Sequence, residues 1–260
     1  MTECGGSGAL SYLQTVVLGG VAGLTIFLGL PVARLRLASR RYLSLLNAFA
    51  IGILLFLFIE VMEHAVGPVE EALEEGGSGF LFLLFTVAVG FGAGLLSLVY
   101  YTQRFMRGGE SVRRLALLIA AGIGLHNFSE GLAIGSSARV GELALALTLV
   151  VGFGLHNATE GFGIAAPLAS EKQVSWGFLA VCGFIAGGPT FLGAVVGFSY
   201  TSEVLSVLFL ALAGGAIIYV VNELFAAGRK LGAPAWAGWG ITAGILLGFI
   251  TEFSLEALGG

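Results

Sequence analysis

Residues 122–135 read GIGLHNFSEGLAIG, and residues 152–165 read GFGLHNATEGFGIA. Both fit one frame, G-x-G-L-H-N-x-[ST]-E-G-x-x-I. Each copy sets a histidine and a glutamate four residues apart, His126 with Glu130 and His156 with Glu160. On a helix that spacing places the two side chains on one face, one turn apart. Two of the three histidines in the chain fall in these copies, and the residues around them are apolar. The pattern predicts two helices that carry ionisable groups through a hydrophobic interior.

Working outward, the 260 residues are 57% hydrophobic and only 11% charged, with a mean hydropathy of +0.97. Soluble domains carry about a quarter charged residues, so a soluble fold is excluded. There is no aspartate, and any acidic chemistry falls to glutamate. Cys4 and Cys182 are far apart and form neither a disulfide framework nor a metal-ligand spacing. The first residues, MTECGGSG, lack the basic segment of a cleavable leader, so the first apolar span is read as retained. Glycine, 42 residues, is spread through apolar runs. In membrane helices small residues let backbones approach, and pairs such as Gly19 with Gly23 and Gly90 with Gly94 fit that use. Nothing resembles a phosphate loop or a nucleic-acid surface. The expectation is an all-α integral membrane protein whose partner is the lipid bilayer.

A helix crosses a bilayer in about 17–25 apolar residues. On that measure residues 1–260 form a single transmembrane domain of eight helices, near 10–32, 42–66, 79–103, 112–137, 141–168, 174–199, 203–227 and 235–257. A short acidic loop with Glu70, Glu71, Glu74 and Glu75 is expected between helices 2 and 3. Arg34, Arg36, Arg40 and Arg41 follow helix 1, and Arg104, Arg107, Arg113 and Arg114 follow helix 3. Lys172 follows helix 5, and Arg229 and Lys230 follow helix 7. Only Arg139 breaks the bias. Because basic loops stay in the cytoplasm, both termini are expected outside a multi-pass protein of the cell membrane. His126 then lies roughly 18–20 Å from either boundary, at 1.5 Å per residue, and His156 is similarly placed between Glu142 and Glu171. Both copies sit near the midplane on consecutive antiparallel helices, where transporters built on inverted repeats place their sites.

A charged side chain at the bilayer centre costs about 2.5–3.5 kcal/mol on insertion scales. Two histidines, two glutamates and two asparagines at one depth therefore need partners. A divalent cation would neutralise the carboxylates and take imidazoles as neutral ligands. An N/O set without thiolate suits Zn(II), Fe(II), Mn(II) or Cd(II) and argues against Cu(I). A single His–Glu pair on a helix is more often a local hydrogen bond; two copies at matched depth favour a cation, because unpaired burial is costly twice over. Bridging carboxylates also allow two adjacent metal positions. Helix 2 adds Glu60, Glu63 and His64, read either as a cation entrance or as a solvated rim. Glu223, toward the inner end of helix 7, serves an exit or snorkels to the interface. Glu252 and Glu256, near the outer end of helix 8, are read as solvated end-of-helix residues. Thr190 follows Pro189 in helix 6, where GGPT predicts a local break and an extra oxygen ligand.

The paired GLHNFSEG and GLHNATEG resemble helices 4 and 5 of the ZIP (Zrt/Irt-like) divalent-metal transporters, especially their prokaryotic GufA-type branch. The resemblance covers essentially the whole chain and includes AGGAIIYVVNEL of helix 7. It implies metal uptake toward the cytoplasm between helices 4 and 5, with helices 1–3 and 6–8 as inverted repeats around that pair in a 3+2+3 arrangement. It also implies a homodimer. Carried over, His126, Glu130, His156 and Glu160 form the primary metal site. Asn127 and Asn157, with the same glutamates, contribute to a second position. The branch usually has proline before each glutamate, where this chain has Ser129 and Thr159, so the kinks that proline imposes are not expected. Many relatives carry a glutamate before the helix 6 proline. Here GGPTFLGA puts Thr190 nearest, which weakens the second position.

The sequence thus predicts a transporter rather than an enzyme, with zinc first among its substrates and iron, manganese and cadmium beside it. Cations would enter by the Glu60/His64 rim, lose water at the paired motifs and leave past Glu223 in an alternating-access cycle. An integral-membrane metalloenzyme is the alternative, but three histidines are too few for a His-rich desaturase cluster. There is also no HExxH, and HxxxE reverses the ExxH order of di-iron bundles. A metal sensor that binds without transport is the other alternative.

Overall fold

The computed structural model describes residues 10–34, 39–105, 112–141, 143–169, 171, 173–200 and 202–259, without side chains at 105, 143–145 and 254–259. Cys4, Arg36, Arg107, Glu142, Lys172 and the side chain of Glu256, all invoked above, lie outside the described parts. Among the described residues there are eight α-helices and no strand: α1 Tyr12–Leu24, α2 Arg40–Glu74, α3 Gly79–Phe105, α4 Val112–Val140, α5 Leu143–Leu168, α6 Trp176–Ser199, α7 Glu203–Arg229 and α8 Pro234–Gly259. Seven described spans are long and apolar enough to cross a bilayer, the first running from Tyr12 to Arg34 and the others lying in α2, α3, α4, α6, α7 and α8. The remaining helix, α5, carries His156, Asn157, Thr159 and Glu160 through its middle. Large hydrophobic side chains such as Leu28, Phe85, Leu96, Phe184, Trp239 and Ile250 are exposed around the bundle. A soluble monomer does not show so much exposed apolar surface. The chain is an all-α integral membrane protein.

Two expected boundaries differ. The first helix, expected to reach about residue 32, is α-helical only to Leu24 and continues as two 3₁₀ segments, Thr25–Leu28 and Leu30–Arg34. Pro31 has no N–H to give an α-type bond, and the bonds Gly29 N–H to Ile26 O (3.1 Å) and Val32 N–H to Gly29 O (3.3 Å) span three residues instead. Thr25 anchors the change, its hydroxyl lying 2.6 Å from both Ala22 O and Gly154 O of α5. The second correction concerns the acidic loop: Glu70, Glu71 and Glu74 are the exposed last turns of α2, a 35-residue helix with Pro68 inside it. At 1.5 Å per residue α2 is about 52 Å long, well beyond a 30 Å hydrocarbon core. One bond lost to Pro68 does not end it, because Ala65 and Val69 stay packed on Leu83, Val87, Val207 and Ala211. The chain turns only at Gly76, whose φ of +70° suits glycine.

The core sits between α2, α4 and α7, where Ile51, Leu54, Leu57, Ile119, Ile123, Ile217 and Leu224 are buried together. Of the apolar span in α4, 72% is buried inside the protein, against 28% in α3 and 17% in α8, so α4 is the inner helix. It packs on α6, α5 and α7, while α2 packs on α8 and α3 on α7. Backbones meet where glycines face each other. A Cβ on Gly131 of α4 would stand 2.9 Å from Gly193 Cα of α6, and one on Gly161 of α5 would stand 2.9 Å from Gly29 Cα. At one end of the bundle Arg34 donates to Val174 O (2.8 Å) and lies over Trp176, while Arg113 pairs with Glu171 (3.0 Å). At the other end Arg139 donates to Phe198 O (3.2 Å) and Ser199 O, satisfying carbonyls at the end of α6.

Candidate metal site

His126 lies halfway along α4, and His156 is centred in α5, as the midplane expectation requires. Their helices place the polar residues of both motifs inside the bundle. His126, Glu130, His156 and Glu160 are each at most 3% exposed, and Asn127 and Asn157 are fully buried. The glycines around them make this possible. Gly131 and Gly161, each next to a motif glutamate, let α6 and the 3₁₀ segments press directly against the site.

The structure joins four of the six residues at one centre. His126 Nε2 lies 3.3 Å from Glu130 Oε1, the expected i, i+4 pair, and 3.7 Å from Glu160 Oε1 across the helix interface. Asn157 Nδ2 donates to Glu130 Oε2 at 3.1 Å. Asn127 Nδ2 donates to Asn157 Oδ1 and to Ala186 O of α6, the latter at 3.1 Å. Asn127 is therefore linked to the centre through Asn157. Several buried atoms here have no hydrogen-bond partner among the described residues: both nitrogens of His126, Asn127 Oδ1, Glu130 Oε1 and both oxygens of Glu160. An unsatisfied buried acceptor costs about 1–3 kcal/mol, and more when charged. The set consists of imidazole, amide and carboxylate donors, the hard-to-borderline chemistry that holds Zn(II)-like cations.

His156 is placed differently. Its Nε2 is 3.2 Å from Thr251 Oγ1 of α8, and its ring meets the edge of Phe56. Glu60, His156 and Glu252 each offer a donor atom, and the three atoms lie within 4.8 Å of one another. Glu60 is thus turned inward. His64 is exposed, with Nδ1 2.9 Å from the Glu60 carbonyl of its own helix, so this i, i+4 pair is not joined through its side chains. Glu252 corrects the expectation of a solvated helix end: it is half-buried and faces the interior group. Its signal in the sequence was an ionisable residue inside the expected apolar span 235–257, which is expensive without a partner. Thr251 carried no such signal.

Thr190 is fully buried and its hydroxyl lacks a hydrogen-bond partner among the described residues. It stands over Gly23 in the α1–α6 interface, where a Cβ would come within 2.8 Å of Oγ1. Glu223 is half-buried near the end of α7, one turn beyond Tyr219. The Tyr219 hydroxyl bonds Thr102 of α3, which in turn donates to Leu98 O. Ser129 and Thr159, in place of proline, hydrogen-bond carbonyls of their own helices, Leu125 O at 3.5 Å and His156 O at 2.7 Å. Both α4 and α5 run unbroken through the motifs.

A family model described as ZIP zinc transporter matches residues 102–253. Over 260 residues, 90% of this chain and 95% of the relative, the chain is 31% identical to the zinc transporter ZupT of Chlorobium limicola. It is 28% identical to ZupT of Escherichia fergusonii over 94% of this chain and 98% of that protein. ZupT of Salmonella heidelberg is also 28% identical, over 95% and 99%. The chain therefore belongs to the ZIP zinc transporter family.

Proposed function

We propose that the protein carries zinc and chemically similar divalent cations, iron, manganese and cadmium among them, across the cell membrane into the cytoplasm. The cations would pass through the centre held by His126, Asn127, Glu130, Asn157 and Glu160, with His156 beside it. One observation carries the reading: at the middle of two helices, imidazole, amide and carboxylate atoms are buried together, several of them with no hydrogen-bond partner among the described residues. A dehydrated dication supplies what they lack, neutralising two carboxylates that would otherwise be excluded from the bilayer. The relatives' name supports zinc as the first cargo.

The reading includes helices 1–3 and 6–8 as inverted repeats around α4 and α5. Matching close contacts support it. Gly29 faces Gly161 of α5 as Gly193 faces Gly131 of α4, and Gly161 and Gly131 hold the same position in the two motifs. Gly52 of α2 lies over Ile241 O of α8, and Gly244 lies over Phe49 O; Gly215 of α7 lies over Phe91 O of α3, and Gly94 lies over Leu212 O. In this register Glu60 follows Gly52 by eight residues and Glu223 follows Gly215 by eight. The entrance and exit acids then occupy equivalent places on opposite sides of the centre. That fits alternating access, in which one half rocks against the other around a fixed site. The termini are read as outside, on the positive-inside rule, and a pair of copies as the assembled state, testable by molecular mass in detergent.

Uptake of radioactive zinc into proteoliposomes tests the function. Wild-type protein should accumulate zinc down its gradient, and Glu130→Gln with Glu160→Gln should abolish it. Unchanged uptake in that double variant refutes the central site.

A further inference from the structure

We propose a second cation site, on the α2–α3 side of the central one, formed by Glu60, His156 and Glu252. It rests on the transport reading only for its role, not for its existence. The three residues come from α2, α5 and α8, and their donor atoms lie within 4.8 Å of one another, close enough to share one ion. Two carboxylates and an imidazole balance the charge of one divalent transition metal and match its donor preference.

The hydrogen bonds around His156 prepare it for that use. Thr251 has a single hydroxyl proton and gives it to Gly248 O at 2.7 Å. Its contact with His156 Nε2 at 3.2 Å therefore runs the other way, with Nε2–H donating to Thr251 Oγ1. In the tautomer this pattern favours, the proton sits on Nε2 and Nδ1 keeps its lone pair. His156 is 3% exposed, and Nδ1 has no hydrogen-bond partner among the described residues. A ligating histidine is commonly oriented in this way, by a bond from its other nitrogen. Glu60 Oε2 is likewise buried and without a hydrogen-bond partner among the described residues.

The placement gives the site a role. His156 belongs to the outer group, while Asn157, the next residue, bonds Glu130 of the central group. Two sites thus meet at consecutive residues of α5. Glu60 and Glu252 both lie in the second halves of helices that run toward the α2–α3 end. A cation arriving from that end is stripped of water by Glu60, His156 and Glu252 and then passed to Glu130 and Glu160.

Equilibrium binding of Cd2+ to the full-length protein in detergent tests the site. Glu60→Gln with Glu252→Gln, near-isosteric changes, should bind one equivalent fewer than wild type. Glu130→Gln with Glu160→Gln should retain that equivalent. If the outer double variant fails to fold, judged by size exclusion, Glu252→Gln alone should weaken one equivalent at least tenfold. A binding isotherm identical to wild type in the folded Glu60/Glu252 variant, or in Glu252→Gln, overturns the site. Zinc uptake separates the two claims. If wild type transports nothing yet the outer variant loses one equivalent, the site stands and the transport reading falls. If wild type transports and the outer variant keeps every equivalent, the reverse holds.

Discussion

Gly131→Ala is the sharpest probe of how closely the site depends on the bundle that surrounds it. A Cβ at this position would stand 2.8 Å from Ala194 N and 2.9 Å from Gly193 Cα, and closer still to Thr190 O. Ordinary contact begins near 3.4 Å, and all three obstacles are backbone, so α4 and α6 must separate by more than the roughly 0.6 Å that Ala194 N alone demands. Overpacking of this kind costs about 1–3 kcal/mol. For a chain of this size that is a fall of roughly 2–10 °C in the unfolding midpoint. Glu130 is the preceding residue and moves with the helix, so zinc binding should weaken about 10–100-fold, as it does when a ligand loses its support. Gly67→Ala is the control: no atom lies within 4 Å of its Cβ position. There alanine should be neutral or stabilise by up to about 1 kcal/mol through helix propensity. The assays are thermal unfolding in detergent and zinc binding by calorimetry. If Gly131→Ala and Gly67→Ala behave alike in both, the close approach of α4 and α6 is not what positions the site.

Asn157→Ala removes the donor to Glu130 and the acceptor for Asn127; it should weaken zinc binding about 10–100-fold while leaving the helical content measured by circular dichroism unchanged. Thr25→Val removes the hydroxyl that holds the end of α1 to Gly154 O and should destabilise by about 1 kcal/mol. Thr25→Ser should keep most of that stability in the same thermal scan. For topology, a cysteine introduced at Gly77 should react with an impermeant maleimide from outside right-side-out vesicles of a Cys4→Ser background, where the buried Cys182 stays silent. Labelling of Gly77→Cys only after lysis would invert the proposed orientation.

Much of the site was legible because the motifs are local. His126 with Glu130 is a one-turn relation on one helix, and the pairing appears as expected at 3.3 Å. The repetition at matched depth also located both copies in the middle of their helices. His156 shows where that reasoning ends. Its spacing to Glu160 matches that of the first copy, yet its ring is taken by Thr251 and grouped with Glu60 and Glu252. Which helices meet, and at what rotation, is a long-range property that periodicity along one helix does not encode. Glu60 illustrates the same limit. Its burden as an intramembrane acid was visible, but its neighbour was sought in His64, one turn along, when it comes from α8. The extension of α2 past Pro68 was hidden because the packing of Ala65 and Val69 on α3 and α7 outweighs the local breaker.

The bond between Asn127 and Asn157 has a consequence for the duplicated motif. Two equal amides facing each other cannot bond equally, since a hydrogen bond has a direction and one partner must give while the other receives. Here Asn127 gives, which leaves Asn157 Nδ2 to serve Glu130, while Glu160 faces His126 at 3.7 Å. Turning both amides over would set Asn127 Oδ1 against Ala186 O and Asn157 Oδ1 against Glu130, acceptor against acceptor, so the direction is fixed by their surroundings. The chain has written the same words twice, and the direction of one bond ensures that they are not read the same way: Glu130 holds the Asn157 amide, and Glu160 faces His126 across the helix interface.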